Sequence, residues 1–177
     1  MRHHQHPGLA GSLNADGTLA PHPDAEHADA RVVWFPVATD SDCSPSIGSL
    51  EGLLCVPTRA GAMRIAAVPH VVEHLTLGDE VAVVDWEGEP LARGELAMAL
   101  HGTVRCVSAD ERGWLHLARM IDAASGEMGA CWFDAIGEQA VAASVPRSAL
   151  VAVLELLATA ADRGELRWEY VTPARHA

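Results

Sequence analysis

A chain of 177 residues suits one compact domain or two small ones, and with 49% apolar residues it can bury a core. Twelve basic residues, all arginine, face 24 acidic ones, for a formal net charge of −12. Nucleic acid is therefore not an expected ligand, because affinity for phosphate backbones comes from clustered Lys and Arg.

The absence of lysine is the mark of a GC-rich genome; the alternative is functional, since arginine's planar fork suits bidentate contacts. An acidic surface favours a basic partner and speeds its encounter, or it simply keeps the chain in solution. Cys43, Cys55, Cys106 and Cys131 are widely scattered with no Cys-x-x-Cys pair, so neither a zinc ribbon nor a thioredoxin-type site is expected. No charged-then-apolar leader opens the chain, and no apolar run approaches the roughly 20 residues of a membrane helix. These features lead to the expectation of a cytoplasmic protein with reduced thiols and no membrane contact.

Residues 1–30 are expected to be a disordered arm. Pro7, Gly8, Gly11, Gly17, Pro21 and Pro23 interrupt every periodic stretch. His3, His4, His6, His22 and His27 could be read as a metal-binding tail, but their spacing is irregular and nothing rigid would hold them together. From Arg31 the pattern changes. Val32 to Val37 predicts a strand, and Thr39 to Pro45 a polar loop. Leu50–Val56 and Met63–Val68 form a hairpin across Thr58 to Gly61. Val81–Trp86 and Leu91–Leu100 are two further strands joined at Glu87 to Pro90. Five short strands with tight turns predict a small β-rich lobe over 31–102, an SH3-like barrel or a curled antiparallel sheet.

The period then lengthens. After a strand over Thr103–Ser108, Ser108 and Glu111 have capping-box spacing, and Trp114, Leu117, Ala118 and Ile121 recur at helical spacing up to Gly126. Ala130–Asp134 and Gln139–Val145 predict a hairpin, with Pro146 opening a second helix. That helix presents Leu150, Val153, Leu154, Leu157 and Ala161 along one stripe before Gly164. Leu166 to Val171 alternates apolar and charged residues and closes the sheet. The order βαββαβ over 103–172 is that of a ferredoxin-like lobe, so the whole chain is expected to be α+β with residues 173–177 as a tail.

Four segments, Val33 to Val37, Leu77 to Asp79, His101 to Arg105 and Arg167 to Tyr170, resemble in order and spacing an uncharacterised bacterial domain-of-unknown-function family, family 4265. The resemblance covers roughly Val32 to Val171 and implies domain extent but no activity. The chain departs from the family pattern at Leu100 and over His70 to His74.

Candidate chemistry is sparse. His70 and His74 flank Glu73, but the zincin order is His-Glu-x-x-His and the segment is confined between Pro69 and Gly78; a polar turn is the expectation, and no metal or cofactor is expected. His101 stands at the lobe boundary with Thr103 and Arg105 alternating onto its side of a strand, and these three are the candidate ligand-binding set. The structural alternative is an imidazole bonded to a loop carbonyl and an Arg105 paired with an acid across the sheet. Cys106 and Cys131, in strands, are expected to be buried and inert. Asp79, Glu80, Glu87 and Glu89 fit solvated turns. No nucleotide loop or nucleophile elbow occurs. The favoured expectation is a non-enzymatic acidic binding protein, toxin-neutralising or pathway-accessory, for a protein or peptide partner of basic character. The alternative is an enzyme or small-molecule binder using an inter-lobe cleft at His101, Thr103 and Arg105.

Overall fold

The computed structural model describes residues 2–5, 10–37, 49–109 and 113–171. In chain order the first half contributes β1 (Arg2–Gln5), β2 (Gly11–Leu13), β3 (Leu19–Pro21), a 3₁₀ turn (Pro23–Glu26), β4 (Arg31–Pro36), β5 (Ser49–Pro57), β6 (Met63–Ile65), β7 (Glu80–Trp86) and β8 (Glu89–Ala97). The second half contributes β9 (His101–Ser108), α1 (Gly113–Ser125), β10 (Trp132–Ile136), β11 (Ala140–Pro146), α2 (Leu150–Asp162) and β12 (Leu166–Val171).

Two sheets divide these strands. The first runs β1-β5-β4-β8-β7-β6, and β6 also pairs with β5, so five of its strands close into a small barrel. Closure needs strong local twist, and register shifts near Glu80/Val81 and Ala82/Val83 in the β7–β8 hairpin supply it. Inward-facing Val33, Phe35, Leu53, Cys55, Met63, Ile65 and Val81 fill the barrel. The loop over Thr39 to Pro45 lies outside the described residues.

The second sheet runs β12-β9-β11-β10-β2-β3, antiparallel throughout. Within the C-terminal half, the last strand therefore lies beside the first, followed by the third and the second. Both helices cover one face, because both carry apolar stripes at helical spacing: Leu117, Ala118 and Ile121 on α1, Val153 and Leu157 on α2. Their common core takes in Val104, Cys106, Phe133, Val141, Val145 and Leu166, with Trp168 and Tyr170 packed at its margin. Gly164 (φ 74°) ends α2 in a left-handed turn: its N–H donates to Ala161 O and that of Glu165 to Ala160 O, satisfying two terminal carbonyls.

Three expectations need correction. The arm over 1–30 is ordered from Ala10 to Ala30, and β1 pairs with β5. Gly17 is not a breaker but the left-handed turn residue of the β2–β3 hairpin, where the Asp16 carboxylate accepts from Thr18 N–H at 2.9 Å. That hairpin docks on β10 and lays Leu13 and Leu19 against the core, which offsets the entropy of ordering it. Second, Pro146 ends β11 instead of opening α2, which starts four residues later. Third, β8 stops at Ala97. Glu111 and residues 173–177 fall outside the described residues.

Gly113 starts α1 at φ 69°, where a Cβ would lie 2.5 Å from Glu138 O. Gly113→Ala is expected to cost about 2–4 kcal/mol, read as a lowered urea midpoint with unchanged slope.

Candidate binding site at the seam between the sheets

The face of the C-terminal sheet opposite its helices is turned toward the barrel. Alternation along β9 places Val104 and Cys106 under the helices and His101, Thr103 and Arg105 on that opposite face. Ala10, Val68, Leu77 and Ala142, backed by Trp132, form an apolar plug between the two sheets.

The segment Pro69 to Val72 crosses this seam and is held from both sides. Glu51 on β5 has no exposed surface, and its carboxylate accepts N–H groups from His70 (2.7 Å), Val71 (3.1 Å) and Val72 (2.6 Å). From the other sheet, Arg105 donates to the carbonyls of Val72 and, at 3.5 Å, Pro69, and its Nη1 lies 3.2 Å from Glu169 on β12. His70 Nε2 hydrogen-bonds Asp134 Oδ2 on β10 at 2.8 Å. The turn expected at His70–Glu73–His74 is therefore the joint of the molecule, with His70 buried and His74 exposed at φ 69°.

The next turn is held similarly. Asp79 is buried, contrary to its reading as a solvated turn residue, and accepts from Thr76 N–H (2.8 Å) and Ala99 N–H (2.6 Å). Burial, opposed by these two bonds, raises its pKa to about 6. Burial also pushes the Cys55 and Cys106 thiols up to about 12 and Cys131 to about 11, so none is a ready nucleophile.

The three candidate residues share a face but not a function. Thr103 is fully buried opposite Ser144, and neither hydroxyl has a hydrogen-bond partner among the described residues. Arg105 is taken up by the joint and by Glu169, its register partner across the sheet. Of the three, His101 is the one that lines a cavity, of about 450 Å³, with Leu100, Ala130, Trp132, Pro146 and Arg147. Burial lowers its pKa, and neighbouring His22 lowers it further. His22 stacks edge-on to Trp132 at 4.4 Å between ring centroids, and its Nδ1 accepts from Asp24 N–H. Asp24 in turn pairs with Arg64 of the barrel at 2.8 Å, so the N-terminal segment bridges both sheets beside the cavity.

The chain running up to the cavity is unusually apolar for a surface. Leu96 (62% exposed), Met98 (43%) and Leu100 (73%) follow one another closely across the end of β8 and the link to β9. Sequence periodicity did not single out Glu51, Asp134 or Trp132. The available signal was a lone acid inside an apolar strand, Leu50-Glu51-Gly52-Leu53 and Phe133-Asp134-Ala135.

No family model matches the chain, and no curated protein does. Among solved structures, a hypothetical protein from Neisseria gonorrhoeae superposes with a TM-score of 0.67 at 16% identity, over 85% of this chain and 100% of that one. At that identity the likeness is one of fold: mixed α+β, strand-rich, with one of two sheets closed as a small barrel. No helix among the described residues is long and apolar enough to cross a membrane.

Arg105→Met is expected to destabilise the chain by about 2–4 kcal/mol by orphaning carbonyls of the joint, whereas His101→Ala, at the cavity wall, costs under about 1 kcal/mol; chemical denaturation of the two variants tests the difference. Asp79 supplies a pH signature. Its native pKa of about 6 exceeds the ordinary 3.8, so its contribution is full below pH 4 and is lost as pH rises through 6. Asp79→Asn loses one acceptor at every pH, yet the stability difference between wild type and variant should shrink by about 2 kcal/mol from pH 4 to pH 7. A pH-independent difference in urea midpoints would contradict that assignment.

Proposed function

We propose that this chain is a non-enzymatic binding module, and that its docking surface is the apolar strip Leu96–Met98–Leu100 leading into the cavity walled by His101, Trp132 and Pro146. The observation that carries this reading is the strip itself: three large apolar side chains exposed in sequence beside a concave site. The occupant suited to it is an extended segment of a basic protein or peptide. Its apolar side chains meet the strip, while the net charge of −12 draws it in. The shifted thiols and the committed Arg105 favour binding over catalysis.

The strand order of the C-terminal sheet, with both helices on one face, supports a ferredoxin-like lobe, and the closed barrel supports an SH3-like one. The resemblance to domain-of-unknown-function family 4265 and a cytoplasmic setting belong to the same reading. A second reading, a small-molecule site in the same cavity, is favoured by one observation: a half-buried imidazole held below its usual pKa beside Arg147 and Trp132.

The test is retention by wild-type chain and by Met98→Asp/Leu100→Asp, both substitutions at exposed positions, at about 0.05 M and about 0.5 M salt. Basic proteins retained by wild type at low salt, lost at high salt and not retained by the variant support docking on the strip. Equal retention by both chains removes it. If nothing is retained and a small-molecule thermal-shift screen responds in wild type but not in His101→Ala, the second reading stands instead.

A further inference from the structure

The barrel has no open side between β5 and β6, but the C-terminal sheet ends in two edges. One is β3, three residues long and ending in Pro21. The other is β12, six residues without proline, glycine or a shift in its register with β9. Among the described residues nothing pairs with the outer side of β12. A regular, unblocked edge of this length is a template for another strand. Trp168 and Tyr170 are only half-buried there, so the rim of the helix core is incomplete on that side.

We propose that β12 is a self-association edge: two copies of the chain pair antiparallel through it, about a two-fold axis at Trp168. The charges select this register. Centred on Trp168, Leu166 faces Tyr170 of the second copy, and Arg167 faces Glu169 in both directions, two opposite-charge pairs on the face away from the helices, where Glu169 also lies 3.2 Å from Arg105 and is still mostly exposed. Centred on Arg167, the pairing sets arginine against arginine and Glu165 against Glu169; centred on Glu169, it sets glutamate against glutamate. Pairings centred between residues oppose apolar and charged side chains and turn the helices of the two copies to opposite faces. In the Trp168 register both helix layers stay on one face, and the second copy covers the exposed sides of Trp168 and Tyr170. The net charge of −12 opposes any self-association, but the edge is locally balanced, with Arg163 and Arg167 beside Glu165 and Glu169. A seam of two strands is small, so the dimer should be a concentration-dependent one.

Light scattering on the eluting full-length chain, from about 1 to about 300 µM, tests the proposal. The expected result is a mass rising from one chain to two. Arg167→Glu and Glu169→Arg, both at exposed positions, should each remain monomeric over that range, since each sets like charges opposite one another. Glu169→Arg also removes the partner that Arg105 has at 3.2 Å. Glu169→Gln, which loses that pair without adding a like charge across the seam, is therefore measured beside it and should dimerise more readily than Glu169→Arg. Mixed in equal amounts, Arg167→Glu and Glu169→Arg should form a heterodimer, because the glutamates of one then face the arginines of the other. Wild-type chain that stays monomeric at the highest concentration, a dimer that survives Arg167→Glu, or a mixture that stays monomeric while both variants melt cooperatively would each overturn it.

Discussion

A carboxylate shut away from water is tolerated only where donors surround it, and Glu51 takes three successive backbone N–H groups from His70 to Val72. That requirement dictates much else. A segment whose N–H groups all turn toward the barrel turns carbonyls the other way, and Arg105 of the facing sheet is the cation that meets those of Pro69 and Val72. An anion on one sheet and a cation on the other thus grip opposite sides of a single piece of backbone. Neither charge touches the other, yet each is stabilised by the dipoles of the peptide units between them.

This joint lies between a closed part of the seam and an open one. Beneath it the sheets are closed: Thr103, Ser144, Val68 and Leu77 have little or no exposed surface. The seam opens at the cavity where the chain leaves the barrel, between Ala99, whose N–H is held by Asp79, and Leu100, whose carbonyl accepts from Arg147 N–H at 2.9 Å. The cavity beside His101 is thus framed by backbone anchored in both sheets, which suits a preformed site better than a hinged cleft.

The candidate set illustrates how far a one-dimensional pattern reaches. Alternation along β9 correctly put His101, Thr103 and Arg105 on one side of a strand, because side chains of a pleated strand alternate whatever surrounds them. Their fates then diverged for reasons lying far along the chain, 64 residues away for the Arg105–Glu169 pair. Arg105 is claimed by Pro69, Val72 and Glu169, Thr103 is buried against Ser144, and His101 is left beside Trp132 and His22. Likewise Asp79 follows a turn-forming Gly78, as a solvated acid would, and is buried because Ala99 passes over it.

Local physics, legible along the chain, determined which stretches from Arg31 onward are strand and which helix, though not where β6 and β8 end or where α2 begins: β-branched runs, and helical stripes at Leu117–Ile121 and Val153–Leu157, each settle their conformation within a few residues. Only the tertiary structure decided that β2 and β3 of the first thirty residues complete the C-terminal sheet, that Glu51 is a buried structural acceptor, and which member of the β9 trio lines the cavity. Burial and pairing between distant segments leave no periodic trace, since each depends on which surfaces meet and not on the spacing of residues in either one.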